Sequence, residues 1–312
     1  MTTALMSPVD LGLPEEPLTA AAKDTAAAHV RARLDEQART LVENTEGARV
    51  GTDIEHVHQL RVSVRRARAA LKADPGSIPD ADALNAELKW LGSSLGAVRD
   101  LDVQLEHMRA QAESFDDDEK AAVEQLLAGL LADRRAARRR MLATLRSKRY
   151  QAVLHTLAAA ALSTPLPAEG DDEPKDVPLV DVIRKPHKKL MKDAEALGED
   201  PPDDDLHALR VRGKRLRYAA EMAAAASKKK IKVLVQTTKE FQDILGDHQD
   251  ACVAEDTIRR LLADFGDGIA VDVVFVAGRL VERERARKAD RRARWRDALA
   301  EVDEAAKAVL GD

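Results

Sequence analysis

One cysteine, two tryptophans, two tyrosines and four phenylalanines are all that this 312-residue chain offers of the residue types that staple or fill compact β structures. A lone Cys252 excludes an internal disulfide. With 15 glycines and 12 prolines against 34% charged residues, turn-rich sandwiches and barrels are disfavoured and long amphipathic helices are expected. No run approaches the roughly 18 apolar residues of a membrane span. Met1 to Pro17 has neither the basic start nor the apolar stretch of a secretory signal. The expectation is a soluble all-α protein of a reducing, cytoplasmic compartment, long enough for about two domains.

Positive charge is also scarce in total, since the net charge is -5 and the sequence pI is about 6.0. That total argues against a polyanion binder, but the distribution reverses the argument. Acids gather in short runs, at Asp116 to Glu119, Asp171 to Glu173 and Asp203 to Asp205. The stretch from His58 to Lys72, by contrast, holds Arg61, Arg65, Arg66, Arg68 and Lys72 without one carboxylate. His207 to Arg217 repeats this with Arg210, Arg212, Lys214, Arg215 and Arg217.

Residues 1–18 contain scattered prolines and no periodicity and read as a mobile tail. Apolar spacing then predicts helices over 19–45, 53–73, 80–112 and 116–162, punctuated by Gly47 and Gly51, by Asp74-Pro75-Gly76 and by the acidic run at residue 116. These make one four-helix half, 19–162. Residues 163–178, with four prolines among acids and small residues, read as a linker. A second four-helix half, 179–312, follows, with helices near 179–197, 205–226 and 227–263 and a last one running toward 310, bent near Gly278.

The halves share letters as well as order. Val57-His58-Gln59-Leu60-Arg61-Val62 recurs as Leu206-His207-Ala208-Leu209-Arg210-Val211, and Leu95-Gly96-Ala97-Val98-Arg99-Asp100 recurs as Leu245-Gly246-Asp247-His248-Gln249-Asp250. Two matches in one order point to a duplicated helical bundle. On a helix, His58, Arg61, Arg65 and Arg68 fall within roughly 80 degrees, with Leu60, Val64, Ala67 and Leu71 opposite. His207, Arg210, Lys214 and Arg217 form the same stripe, opposite Leu209, Gly213, Leu216 and Ala220. An ordinary solvated face mixes acids with bases to gain pairs one turn apart. These ridges accept like-charge repulsion instead, which points to an external anion. Guanidinium forks favour a phosphate-rich one, although Lys214 keeps charge without the fork.

Further cations stand on neighbouring helices: Lys89 and Lys239 at matching positions ahead of the Leu-Gly motifs, and Arg134, Arg138, Arg139, Arg146 and Arg149 on the fourth helix. Arg283, Arg287, Arg291 and Arg294 of the last helix can join the same surface, but Glu282, Glu284 and Asp290 interleave with them, which suits a solvated face equally well. Asp100 and Asp250 invite an acid/base or metal role, but no companion carboxylate or nucleophile is evident, and orienting a neighbouring Arg is the simpler reading. Gly96 and Gly246 would allow close helix approach. His56 and His58 diverge by about 160 degrees on a helix and make a poor metal pair. Cys252, with no Cys or His at a zinc spacing, reads as a small buried hydrophobe. No catalytic residue, metal site or cofactor is assigned.

The His58-to-Arg68 motif, the paired Leu-Gly-x-x-Arg/Gln-Asp motifs and their duplication resemble the CHAD domain, the conserved histidine α-helical domain, over about residues 21 to 310. The resemblance implies two tandem four-helix bundles related by internal pseudo-twofold symmetry around a basic central channel that binds inorganic polyphosphate. It implies that His58, Arg61, Arg65, Arg68, His207, Arg210, Lys214 and Arg217 line the channel, with Lys89, Lys239, Arg138 and Arg149 transferred on helix position alone. Family members often follow a CYTH triphosphatase domain; only a short tail precedes the first helix here, so that catalytic domain is expected to be absent. The expected protein is a noncatalytic polyphosphate binder, targeted to polyphosphate granules, with granule proteins or a second copy as further partners and no membrane. A nucleic-acid-binding module is the alternative, disfavoured because the ridges lack stacking aromatics. A phosphate-hydrolysing enzyme is weaker still, for want of an acidic metal cluster among the cations.

Overall fold

Helix ends in this protein follow local capping chemistry more closely than apolar spacing. The computed structural model describes residues 6–21, 24, 26–51, 53–73, 76, 78–163, 181–223 and 229–311. Among them it has nine α-helices and no strand: α1 Ala26–Val50, α2 Glu55–Ala73, α3 Ala81–Gln111, α4 Asp117–Leu145, α5 Lys148–Leu162, α6 Asp181–Glu195, α7 Asp203–Ala223, α8 Lys229–Phe265 and α9 Val271–Leu310. The all-α expectation holds.

Two of these boundaries differ from those expected for local reasons. Gly47 does not stop α1, because the His56 ring packs over it; a Cβ there would lie 2.3 Å from His56 Cδ2. The stop is Gly51, at φ +76, whose N–H donates to Gly47 O at 2.8 Å. The single helix expected over 116–162 is two. Ser147 adopts an extended backbone and its hydroxyl accepts from Tyr150 N, capping α5. The first part of the chain therefore carries five helices rather than four. At the start of α4, Asp116 and Glu119 form a reciprocal capping box, Glu119 N donating to Asp116 Oδ1 at 2.8 Å and Asp116 N to Glu119 Oε2 at 3.3 Å.

The segment read as a mobile tail is, in its described part, packed. Leu11 and Leu13 are buried in the core and Val9–Leu11 forms a 3-10 turn against α5. Leu18 N donates to the buried Asp35, and Arg39 donates to the carbonyls of Pro14 and Glu16. Past Ser163, the Pro- and acid-rich stretch to residue 178 lies outside the described residues, as do Asp171 to Glu173 and the first residues of the helix expected from 227. The last helix runs through Gly278 without interruption.

The chain divides into two compact units: the described residues of Met1–His107 with Leu127–Asp171, and those of Met108–Leu126 with Asp172–Asp312. The end of α3 and the start of α4 therefore belong with the second unit. In the first, Leu34, Leu41, Leu60, Leu88, Leu91, Leu95, Met141 and Tyr150 form the centre of one apolar core. In the second, Phe241, Trp295, Leu209, Leu216, Leu234 and Val302 do the same. Leu60, Val64, Ala67 and Leu71 of α2, and Leu209, Leu216 and Ala220 of α7, are all buried, so the core stripe opposite each cationic ridge is where the periodicity placed it.

Candidate functional site

Burial of the Leu60 to Leu71 stripe rotates the His58, Arg61, Arg65 and Arg68 ridge of α2 out of the core. His58, Arg61 and Arg68 are half-buried and Arg65 is exposed. Arg61 Nη1 donates to Asp100 Oδ1 on α3, and Arg68 Nε donates to Asn85 Oδ1 at 3.0 Å. Asn85, Lys89, Gly96 and Asp100 share one stripe of α3 by helical period. This stripe meets the ridge: a Cβ on Gly96 would lie 3.8 Å from Arg61 Cζ. Asp100 thus orients an arginine, the simpler of the roles its position allowed. Arg65, and Arg66 beside it, have no ion-pair partner among the described residues. Lys89, exposed on the same α3 stripe, also has none.

The second unit repeats the arrangement with different pairing. On α7, His207 is exposed and Arg210, Lys214 and Arg217 are half-buried. Arg210 lies against Gly246 of α8, where a Cβ would come within 3.3 Å of its Nη2, so close approach matters here and not at Gly96. The Arg210 Nε is shielded from water and has no hydrogen-bond acceptor. Such a donor carries a desolvation cost that an anion would relieve. Lys214 and Asp250 each have interactions of their own, and Arg217 stands 3.2 Å from Glu221 Oε1. Lys239 is exposed on the α8 stripe that carries Gly246. Off the ridge, Arg212 donates to Asp193 Oδ2 at 2.5 Å, a structural use.

Two transferred residues are not brought to a ridge. Arg138 Nη2 donates to Arg49 O and Val50 O, both at 3.0 Å, and so caps the C-terminus of α1. Its guanidinium occupies the space a Cβ at Gly51 would need, 2.2 Å from Nη2. Arg149 makes a bidentate pair with Glu87, at 2.7 and 3.0 Å, and lies 4.0 Å over the Trp90 ring. The hydrogen bond to Arg149 draws the Glu87 carboxyl below its usual range. Glu87 and Trp90 face away from the α3 stripe that meets the ridge. Helix position alone was too coarse a guide for either arginine, because a rotation of one residue is about 100 degrees.

Sequence reading also missed a cluster. Cys252 lies one turn after His248 on α8, a spacing that places both on one face, and folding adds Asp203 from the first turn of α7. The ligand atoms of Asp203, His248 and Cys252 all lie within 4.8 Å of one another. Burial pushes the Cys252 thiol up to about 12, with the Asp203 charge adding to the shift, and burial pushes His248 down. Burial opposes ionisation of Asp203, yet the hydrogen bond and charge of Lys288 outweigh it and hold its carboxyl below the ordinary range.

No described helix is long and apolar enough to cross a membrane. Residues 32–259 match the CHAD domain family. Two uncharacterized proteins of Mycobacterium tuberculosis, from two strains, are 30% identical over 236 residues, which is 73% of this chain and 44% of theirs. The chain thus spans about half the length of the curated relatives it matches. The crystal structure of the CHAD domain from the plant Ricinus communis superposes with a TM-score of 0.70 at 29% identity, covering 91% of this chain and 95% of that one. PptA from Streptomyces chartreusis gives a TM-score of 0.66 at 20% identity over 88% of this chain and 98% of that one, a likeness of fold alone. A helical fold shared nearly end to end, a family match over most of the sequence and the duplicated His-Arg helices agree, and this chain belongs to the CHAD domain family.

Proposed function

We propose that this protein binds inorganic polyphosphate through the ridges of α2 and α7 and does not transform it. The observation that carries the proposal is charge left uncompensated on both ridges, though at different repeat positions: Arg65 without an acid partner among the described residues, and Arg210 with a buried donor lacking an acceptor. Phosphate oxygens supply acceptors for such guanidinium groups, and charge-assisted bonds of this kind are about twice as strong as neutral ones. His58, Arg61, Arg65, Arg68, His207, Arg210, Lys214 and Arg217 form the proposed contact set, with Lys89 and Lys239 beside them. The proposal includes the arrangement the family resemblance implies, two bundle halves related by a pseudo-twofold with both ridges on one basic channel. Location at polyphosphate granules follows from the ligand.

Calorimetric titration with polyphosphate tests it directly. Arg61→Ala combined with Arg210→Ala should lose about 1.5–3 kcal/mol of binding while circular dichroism and unfolding temperature stay unchanged. Unchanged affinity in that folded variant would remove the ridges from the site. DNA or RNA of equal charge should compete poorly, since no ridge residue is a Phe, Tyr or Trp that would stack on bases. Incubation with labelled polyphosphate and magnesium should release no orthophosphate; release would make the protein an enzyme and overturn the noncatalytic reading.

A further inference from the structure

Away from both ridges, α7, α8 and α9 bring together a set of side chains that polyphosphate binding does not use. Asp203 enters from the first turn of α7, and His248 and Cys252 lie one turn apart on α8. Their carboxylate, imidazole and thiol ligand atoms fall within 4.8 Å of one another. The His248 side chain is 1% exposed, and its Nε2 is shielded from water and makes no hydrogen bond. It points toward Asp203, 3.2 Å from Oδ1, without hydrogen-bonding geometry. A buried imidazole nitrogen without a hydrogen-bond partner, aimed at a carboxylate and beside a thiol, makes up with them a donor set of the kind that metal ions take.

We propose that Asp203, His248 and Cys252 bind a divalent metal ion of borderline softness, of which Zn2+ is the type, with a solvent molecule as the fourth ligand. Nitrogen, sulfur and oxygen donors in one small group suit Zn2+, whose bonds of about 2.0–2.3 Å require the three atoms to close in by a fraction of an ångström to roughly one ångström. Binding exchanges the thiol proton, which leaves to solvent, for a sulfur–metal bond. Two cations also meet Asp203. Lys288 Nζ lies 3.1 Å from Oδ2, and Arg292 Nη1 lies 3.0 Å from Oδ1. Arg292 can stay in place as an outer donor that orients the carboxylate. Lys288, with a side chain 28% exposed, must release Oδ2 and turn to water, so it competes with the metal. The bound ion would tie the start of α7, one turn before His207, to α8.

Cobalt(II) is the probe, because thiolate ligation gives a near-ultraviolet charge-transfer band and Cys252 is the only thiol in the chain. The full chain titrated with Co2+ should show that band with visible d–d absorption, and Zn2+ should bleach both. Cys252→Ser, close to isosteric, should abolish the charge-transfer band, and His248→Gln should weaken Co2+ binding about tenfold or more. Lys288→Met should strengthen it. No charge-transfer band in the wild type or in Lys288→Met would overturn the proposal, as would a band that survives Cys252→Ser. None of these readouts involves polyphosphate, so the outcome is independent of the ridge proposal.

Discussion

Arg61 and Arg210 occupy the same repeat position and live in different electrostatic surroundings. Asp100 already satisfies Arg61, whereas Arg210 rests on Gly246 with an unfilled donor. A phosphate arriving at Arg61 must displace a carboxylate that is itself about half exposed. Asp100→Asn should therefore tighten polyphosphate binding several-fold in the same calorimetric titration. Weaker binding would mean that Asp100 holds Arg61 in its productive pose instead of competing for it. A second prediction concerns Tyr150, whose phenol burial pushes up to about 12 from 10.0 while its hydroxyl bonds Thr45. The folded state then holds a proton that the unfolded chain releases, so stability is intact below about pH 10 and falls, by on the order of 2 kcal/mol, as pH rises toward 12. In Tyr150→Phe, denaturant unfolding should show about 1 kcal/mol less stability near neutrality, from the lost bond, and a smaller alkaline decline. The ridge residues could be read from spacing, whereas their partners Asn85, Asp100 and Gly246 were legible only as a motif of unknown purpose. The pairing of His248 with Cys252 was available as a one-turn spacing and was overlooked; Asp203 was not available, since it comes from another helix.

Helix packing decides what each glycine of the ridge region does. Gly213 on α7 faces Phe241, and a Cβ there would sit 2.8 Å from Cε1 of a fully buried ring. At Gly96 the nearest atom would be an ordinary 3.8 Å away. Gly213→Ala should therefore lose about 1–3 kcal/mol through overpacking, more than the roughly 1 kcal/mol that alanine adds to a helix. Gly96→Ala should gain part of that propensity and raise the unfolding temperature slightly. Thermal unfolding of the two variants checks the pair, and equal behaviour would refute the packing difference. Helix existence and the buried face were plain in the sequence because a 3.6-residue apolar period survives any context. Two boundaries were not, each for a local reason: Gly47 looked like a stop until His56 covered it, and Ser147 sat inside an apolar period that continues on both sides of its cap.

At the scale of the whole molecule, a chain of net charge -5 carries cationic ridges because its acids pair elsewhere. Glu255 joins Arg259 and Arg285, Asp247 joins Arg287 and Arg291, and Asp203 joins Lys288 and Arg292. Most arginines of α9 are thus already paired, with Arg279, Arg287, Arg291 and Arg292 half-buried against acids of other helices rather than on a solvated face, whereas on α2 Arg61 pairs with Asp100 while Arg65 and Arg66 have no acid partner among the described residues. Polyphosphate affinity should fall linearly on a log–log plot against salt, with a slope set by the number of phosphates contacted. If both ridges serve one chain, polymers too short to reach the second should bind far more weakly than the loss of contacts alone predicts, since the second contact is then no longer intramolecular. Binding measured across polymer lengths, with total phosphate held constant, distinguishes one shared site from two separate ones.

The sequence alone determined the helical class, the duplication, the buried stripe of each ridge helix and the residues of the ridges. Each of these depends on periodicity or on repeated letters along one chain. Only the tertiary structure decided which cations are already spent, Arg138 on the end of α1 and Arg149 on Glu87, and which retain an open valence, as Arg210 does. It also decided that residues 11 and 13 are core and that Asp203 meets His248 and Cys252. The physical reason is the same in each case: a side chain's partner lies across space, on another helix, and no spacing within a single helix encodes it.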